Sequence, residues 1–138
     1  MARSGGRPLK LEFVSENANT IQTLNDLLAD EHLMTLAEVG EQFSVPRTKI
    51  GDYLNLHKLV AVKQGASRLI PAALVRDLDS PSKFVAGAIT VLADGGYTDE
   101  EILLYLFTPD ETLPGRPIDA LHGHGAREVI RRAQSMAL

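Results

Sequence analysis

The sequence lacks cysteine and tryptophan altogether, and aromatic residues make up only 5% of its 138 residues. The lack of cysteine excludes disulfide bonds and thiolate metal sites, and it fits a reducing compartment, so we expect a cytoplasmic protein. No apolar run reaches the roughly 20 residues that span a bilayer, and no apolar secretory signal stands at the N-terminus. We therefore expect no membrane insertion. A chain of this length can form one compact domain or two small subdomains that share a core.

The net charge of −4 is distributed very unevenly along the chain. Residues 1–10 carry a charge of +3, residues 11–43 carry −7 without a single Lys or Arg, and residues 77–138 carry −5. By contrast, residues 44–76 carry +5, because only Asp52 opposes six basic residues: Arg47, Lys49, Lys58, Lys63, Arg68 and Arg76. Nucleic-acid binding depends on the charge close to the binding surface. The positive charge of residues 44–76 therefore favours nucleic-acid binding more than the negative net charge of the whole chain opposes it.

Residues 34–57 have the pattern of two short helices joined by a tight turn. Thr35 and Glu38 have the spacing of a capping box at a helix N-terminus. Three apolar residues then recur at helical spacing: Leu36, Val39 and Phe43. The run 44–46 ends this helix, since proline lacks an amide hydrogen and disfavours helical backbone in the residue before it. A second helix is predicted over about residues 47–57. This is a helix-turn-helix, whose second helix enters the major groove of DNA.

A β-hairpin is predicted directly after the second helix. Residues 59–63 are β-prone, a turn containing glycine follows, and residues 68–70 form a second short strand that ends at a proline. We therefore expect a wing over about residues 60–70, with Lys63 and Arg68 near its tip. The alternative interpretation of the same pattern is a small α+β domain with a surface helical hairpin.

Six polar side chains are the candidate DNA contacts: Arg47, Thr48, Lys49, Lys58, Lys63 and Arg68. The first three lie at the N-terminal end of the recognition helix, the end that usually reaches base edges. Arg47 is the candidate for a bidentate contact with guanine. The last three are expected to contact phosphates, which sets the register on DNA without reading its sequence.

The chain is predicted to have three parts. Residues 1–15 form a flexible basic tail, residues 16–78 form a winged helix-turn-helix DNA-binding head, and residues 79–138 form a C-terminal helical domain. The expected fold is thus mainly α with a small β-hairpin wing. The first helix of the head is predicted within residues 18–31, and its apolar face consists of Ile21, Leu24, Leu27 and Leu28.

The C-terminal half is predicted to contain three main helices. Ser80 and Pro81 have the cap-and-proline pattern of a helix start, and the apolar stripe that follows consists of Phe84, Val85, Ala88, Ile89 and Leu92. Two glycines end this helix, and Thr98 caps the next one. The last helix is predicted over about residues 126–137, with three exposed arginines: Arg127, Arg131 and Arg132. Few polar residues interrupt the apolar stripes, which favours a packing or partner-binding unit over a catalytic one.

No arrangement of residues indicates an enzyme, a cofactor or a metal site. His122 and His124, with Glu128 four residues beyond, have the residue types of metal ligands, but a His-x-His pair between glycines is more typical of a turn surface. Residues 94–96 follow a helix rather than a strand and lack the phosphate-loop pattern, so they are predicted to be a helix C-cap.

Several blocks of the sequence carry a resemblance to a known family. They are DGGY (94–97), LFTPD (106–110), RPIDALH (116–122) and AREVIRRAQ (126–134), together with the run from residue 59 to residue 71 in the head. Over roughly residues 34–138 the chain resembles an actinobacterial family of winged helix-turn-helix DNA-binding proteins, whose mycobacterial member is a substrate of a serine/threonine protein kinase. The resemblance implies a transcriptional regulator that binds double-stranded DNA. It also implies phosphorylation in the N-terminal tail, where Ser4, Ser15 and Thr20 are the candidates.

The order of elements in the C-terminal half is also similar to the C-terminal domain of Xre/ParS-type antitoxins. This alternative implies an antitoxin-like repressor whose C-terminal helices bind a partner protein. In either case one head supplies about one half-site of DNA contacts, so we expect a homodimer or a second protomer on the DNA.

Overall fold

The computed structural model describes residues 20–138. Its helices are α1 (20–27), α2 (Leu36–Phe43), α3 (Arg47–Asn55), α4 (Lys83–Asp94), α5 (Asp99–Phe107), α6 (Pro117–Leu121) and α7 (Ala126–Met136); its strands are β1 (Leu33–Thr35), β2 (Val62–Gln64) and β3 (Ser67–Pro71); and a 3-10 turn covers Ala72–Leu74. The predicted tail, with Ser4 and Ser15, lies outside the described residues. The predicted fold class is confirmed: a mainly helical chain with a small antiparallel sheet.

The helix-turn-helix forms as its capping and breaking residues predict. Thr35 Oγ1 accepts a hydrogen bond from the Glu38 amide at 3.1 Å, and Glu38 Oε1 accepts one from the Thr35 amide at 2.8 Å. Helix α2 ends at Ser44, whose φ of 60° is left-handed, and Pro46 stands at the N-cap of α3. Helix α3 ends at Asn55, two residues before the predicted end.

The wing is part of a three-stranded antiparallel sheet with the order β1-β3-β2. Strands β2 and β3 are joined by a two-residue turn, in which Gly65 has a φ of 62°. Positive φ at the first central residue is what a type II′ hairpin turn requires, and glycine adopts it without steric cost. Lys63 and Arg68 are directly opposite each other across the hairpin, next to this turn. The predicted wing is therefore confirmed, whereas strand β1 was not predicted.

Buried apolar side chains from both halves of the chain form one continuous cluster. Its fully buried members in the head include Leu24, Ile50 and Ile70, and those in the C-terminal half include Leu92, Phe107 and Val129. Helix α3 is thus fixed on its inner side through Ile50, which leaves its outer side free to form a binding surface.

Two predictions about the apolar faces are wrong. Ile21 is 42% exposed and Phe84 is 36% exposed, so neither belongs to the core. Helix α4 also begins later than predicted, because Ser82 rather than Ser80 caps it: Ser82 Oγ accepts hydrogen bonds from the amides of Phe84 and Val85, both at 3.2 Å. With the start shifted by two residues, Phe84 falls in the first turn, at the edge of the apolar stripe.

The prediction that Arg132 is an exposed residue of α7 is also wrong, because its side chain is held by hydrogen bonds. Its Nε donates to Glu128 Oε2 at 2.6 Å, its Nη1 donates to Thr112 Oγ1 at 2.8 Å, and Asp110 Oδ2 lies 3.3 Å away. These bonds tie the last helix to the loop after α5 and leave only 27% of the Arg132 side chain exposed.

A polar seam joins the head to the C-terminal half. Arg116 donates to Asp119 Oδ2 at 2.9 Å and to Glu31 Oε2 at 2.7 Å, and Arg76 donates to Asp119 Oδ1 at 2.7 Å. The His122 ring lies nearby, with Nε2 2.7 Å from the Ala73 carbonyl oxygen. The seam and the common core fix α3 and the wing against the C-terminal helices. Within residues 20–138 no helix has the length and apolar character needed to cross a membrane.

Candidate nucleic-acid interface

Helix α3 presents three distinct sides around its axis. An α-helix turns about 100° per residue, so Arg47 and Gly51 share one side, Thr48 and Asp52 share the next, and Lys49 shares the third with Tyr53. Ile50 is fully buried and points into the core. The middle side, with Thr48 and Asp52 exposed, is therefore the outermost part of the helix.

The first side of α3 faces the wing. Arg47 lines a polar cleft together with the start of α2 and the wing residues 66–69. Arg68 Nη2 lies 3.9 Å from the position that a Cβ atom on Gly51 would occupy. This is an ordinary van der Waals distance, so the Arg68 guanidinium packs beside the recognition helix at Gly51. This places two arginine side chains at the junction of the recognition helix and the wing.

A second cleft on the wing side brings Lys63 and Arg68 close to the C-terminal half. It is lined by both cations, by Asn55 and His57 from the end of α3, and by Asp99 from the start of α5. Desolvation raises the pKa of Asp99, and the neighbouring charge of Glu100 acts in the same direction, while His57, Lys63 and Arg68 oppose both. Asp99 is therefore an acidic neighbour of the two wing cations.

The third side of α3 faces α4. Lys49 Nζ lies 5.3 Å from the centre of the Tyr53 ring, and the Tyr53 ring packs edge-on against Phe43 with its centre 6.4 Å away. Lys58 lines a shallow surface with Tyr53 and with Lys83 of α4. Lys58 therefore lies on the flank away from the wing, not beside Lys63 and Arg68.

All six predicted contact residues are exposed, and α3 separates them into groups. Arg47, Lys63 and Arg68 lie on the wing side, Lys49 and Lys58 on the opposite side, and Thr48 between them. Sequence reasoning missed Lys83 and Asp99, which come from the C-terminal half. No local pattern places either residue beside α3 or the wing, because only the packing of α4 and α5 against the head does so.

The His-x-His turn has a structural role at His122. Burial lowers the pKa of His122, and the hydrogen bond to the Ala73 carbonyl oxygen acts in the opposite direction. His124 is exposed. Among residues 20–138 no group of three His, Cys, Asp or Glu side chains is arranged to hold a metal ion.

Comparison with known proteins identifies the family. The sequence model of the DNA-binding protein Rv2175c, wHTH domain, matches residues 20–75, and that of the Rv2175c C-terminal domain of unknown function matches residues 83–137. The curated DNA-binding protein Rv2175c of Mycobacterium tuberculosis is 41% identical over 120 residues, which cover 78% of this chain and 82% of that protein. The chain belongs to the Rv2175c family. The NMR structure of Rv2175c is 40% identical, has a TM-score of 0.72 and covers 79% of this chain and 83% of its own.

The region matched by the Rv2175c winged helix-turn-helix model includes all six candidate contact residues. It begins at Thr20, the one phosphorylation candidate within the described residues, which is half-buried in α1. Lys83 is the first residue of the region matched by the Rv2175c C-terminal domain model.

Proposed function

We propose that this protein is a transcriptional regulator that binds double-stranded DNA through α3 and the wing. The observation that carries the proposal is the position of α3: its inner side is fixed by Ile50, and its outer side is exposed between two groups of basic side chains. A helix seated in this way can enter the major groove while the hairpin contacts the adjacent backbone. The acidic remainder of the chain does not oppose this, because the basic groups are concentrated on one face.

The contact residues divide into two roles in this proposal. Arg47 and Thr48 lie at the N-terminal end of α3, where they reach base edges, and Arg47 reads guanine through two hydrogen bonds. Lys63 and Arg68 on the wing contact phosphates and set the register. Lys49 and Lys58 contact phosphates from the other side of α3. If about four to six phosphates are contacted, log K should fall with log salt with a slope of roughly −4 to −5.

The experiment is selection of bound duplexes from a random pool at two salt concentrations. We expect a sequence motif to be enriched. Arg47→Ala should then relax the preference by about 1–3 kcal/mol at one position, whereas Lys63→Ala should weaken binding to all duplexes equally. If both variants bind selected and random duplexes like the parent protein at low salt, the site assignment is wrong. Salt-sensitive binding without a motif would instead indicate an architectural protein.

The proposal also covers the domain bounds of the chain and the partners of the protein. We place the head at residues 16–78 and the helical domain at residues 79–138, and we propose a homodimer on DNA because one head supplies about one half-site. The family resemblance supports a serine/threonine protein kinase as a second partner, acting at Ser4, Ser15 or Thr20. A phosphate added beside a basic tail would repel DNA.

We propose no enzymatic activity, because the polar groups of the described surface serve capping, ion pairing and DNA contact. The antitoxin-like alternative stays a prediction. Co-purification with the product of a neighbouring gene would support it, whereas a regulator of the first kind should purify alone and still bind its motif.

A further inference from the structure

Three lysines surround Tyr53 on the flank of α3 that faces away from the wing. Lys49 belongs to α3, Lys58 follows α3, and Lys83 is the first residue of α4. Tyr53, Lys58 and Lys83 line one concave surface together with Pro81 and Ala86, and Lys49 Nζ lies over the Tyr53 ring at 5.3 Å from its centre. We call Lys49, Lys58 and Lys83 the lysine flank.

The lysine flank carries charge that other groups of the described chain do not neutralise. All three side chains are exposed. The ion pairs found among residues 20–138 are made by Arg76, Arg116, Arg131 and Arg132, and none includes one of these lysines. Lys83 instead holds its ammonium group 5.4 Å from the centre of the Phe84 ring. The ammonium group of Lys83 therefore lies over the partly exposed Phe84 ring, a cation–π contact that leaves its positive charge in place.

The position of Lys83 relative to α3 is fixed by contacts between the two halves. Thr90 Oγ1 of α4 donates a hydrogen bond to the His57 carbonyl oxygen at 3.1 Å, just after the end of α3. Gln42 Nε2 of α2 donates to the carbonyl oxygens of Val75 and Leu78, at 2.7 and 2.8 Å, in the segment that leads to α4. The start of α4 is therefore held beside the recognition helix.

The dimensions of B-DNA show what such a flank would meet. The major groove is about 12 Å wide and has a phosphate backbone along each edge, and a helix with its side chains is about 10–12 Å in diameter. A helix seated in the groove therefore has one backbone at each flank. Lys63 and Arg68 of the wing stand at one flank of α3, and the lysine flank stands at the other.

We propose that the lysine flank binds the phosphate backbone along the groove edge opposite the wing, and that Lys83 thereby makes the C-terminal domain part of the DNA interface. The inference rests on the proposed binding of DNA by α3. Lys83 is the first residue of α4, so the positive end of the α4 dipole adds to the field of Lys83 at the same place, although the Ser82 hydroxyl already accepts two of the amide hydrogen bonds there. Residues of the head and of the C-terminal domain then contact the two DNA backbones that border the major groove.

The first test is the salt dependence of binding by Lys83→Ala in the full chain. Each phosphate contact contributes about 0.9 to the slope of log K against log salt. Losing one contact should make the slope shallower by that amount and weaken binding by up to about eightfold at roughly 0.1 M salt, equally for selected and random duplexes. The control is Arg127→Ala, which removes an exposed charge from α7, a helix that contributes nothing to this surface. Equal slopes for Lys83→Ala and the parent protein would overturn the proposal.

The second test uses the absence of cysteine from the chain. Lys83→Cys and Arg68→Cys each provide a single thiol for an iron-chelate cleavage reagent, and each removes one positive charge. We expect cleavage from the two positions to map to the two strands that border the same stretch of major groove. Cleavage from position 68 alone would overturn the proposal that the lysine flank binds DNA and would leave the proposed function intact. Cleavage from neither position would overturn both.

An acidic protein is the other partner that three lysines could bind. If Lys83→Ala abolished binding of a purified acidic partner and left the DNA slope unchanged, the lysine flank would be a protein-binding surface and the proposal would be wrong.

Discussion

At the scale of single residues, Asp99 brings a negative charge from the C-terminal half to the cationic side of the wing. Lys63 and Arg68 line the same cleft as this carboxylate, and their charges act on its pKa. A phosphate that approaches the wing therefore meets two cations whose field is already partly offset. In the proposed interface, Asp99 of the C-terminal half opposes phosphate binding at the wing, whereas Lys83 favours it at the opposite flank.

Replacement of this carboxylate should tighten DNA binding. We expect Asp99→Asn to raise the affinity a few-fold at low salt for all duplexes, because the local positive potential increases, and the gain should shrink at high salt as charges are screened. Fluorescence anisotropy at two salt concentrations measures this. The matched control is Glu100→Gln, which removes the same charge one residue further along α5 and does not line the cleft. Equal gains for both variants would show that only the net charge matters.

At the scale of elements, the helix-turn-helix depends on a close approach at Gly40. This glycine is the fifth residue of α2, and a Cβ atom on it would lie 2.8 Å from the Val45 carbonyl oxygen in the turn. Gly51 is the fifth residue of α3, and only the flexible end of Arg68 lies within 4 Å of its Cβ position. Two glycines at the same place in two short helices therefore have opposite structural roles.

The two glycines give a matched prediction. Gly40→Ala should lower the free energy of unfolding by about 1–3 kcal/mol, because backbone in the turn must move. Gly51→Ala should raise it by up to about 1 kcal/mol, because alanine favours a helix over glycine. Chemical denaturation measures both, and a Gly40→Ala variant at least as stable as the parent protein would contradict the close approach of Gly40 to the turn. Because 3.9 Å is an ordinary van der Waals distance, Gly51→Ala should leave Arg68 in place and the DNA affinity unchanged.

Local signals were enough to predict the helix-turn-helix of the head. Thr35, Glu38 and Pro46 act on their immediate neighbours, and for this reason the two helices were predicted with nearly correct bounds. Strand β1 was missed because it pairs only with β3, more than 30 residues later. The start of α4 was misplaced because Ser80 and Ser82 both offer a hydroxyl for the cap, and it is Ser82 Oγ that accepts the amide hydrogen bonds. The six candidate contact residues are all exposed, but their separation into groups, with Lys58 away from the wing, depends on the orientation of α3 and could not be predicted from the sequence.

At the scale of the whole molecule, the head and the C-terminal domain share one core and one polar seam. Asp119 is central to the seam, since it accepts hydrogen bonds from Arg116 and Arg76 and these bonds hold its pKa below the usual value near 3.8. Arg116 extends the seam to Glu31, in the connection between α1 and β1. The positions of Lys83 and Asp99 beside the head depend on this docking, and the sequence alone gave no sign of it because its partners are up to 85 residues apart.

Asp119→Asn should therefore destabilise the whole chain in a pH-dependent way. The folded state favours the ionised carboxylate, so the stabilisation is present in full above the unfolded pKa near 3.8 and is lost as the pH falls towards the lower folded pKa. We expect the free energy of unfolding to fall by about 1–2 kcal/mol at pH 7. This value is lower than for a buried pair, because the Asp119 side chain is partly exposed and solvent weakens its ion pairs. The difference from the parent protein should narrow steadily below pH 4. Urea unfolding at several pH values measures it.

The same variant distinguishes a shared core from two independent domains. If the halves fold as one unit, a change at the seam lowers the stability of both. Far-ultraviolet circular dichroism and the fluorescence of a dye on a single cysteine introduced at the exposed Thr48 of α3 should then shift to the same lower urea midpoint. The matched control is Asp110→Asn, which removes an ion pair between α7 and the loop after α5, both within the C-terminal half. If Asp119→Asn gave two separate transitions with the head transition unchanged, the seam would not couple the domains. The docking that places Lys83 beside α3 would then rest on the apolar contacts of α4 and on the hydrogen bond from Thr90 Oγ1 to the His57 carbonyl oxygen.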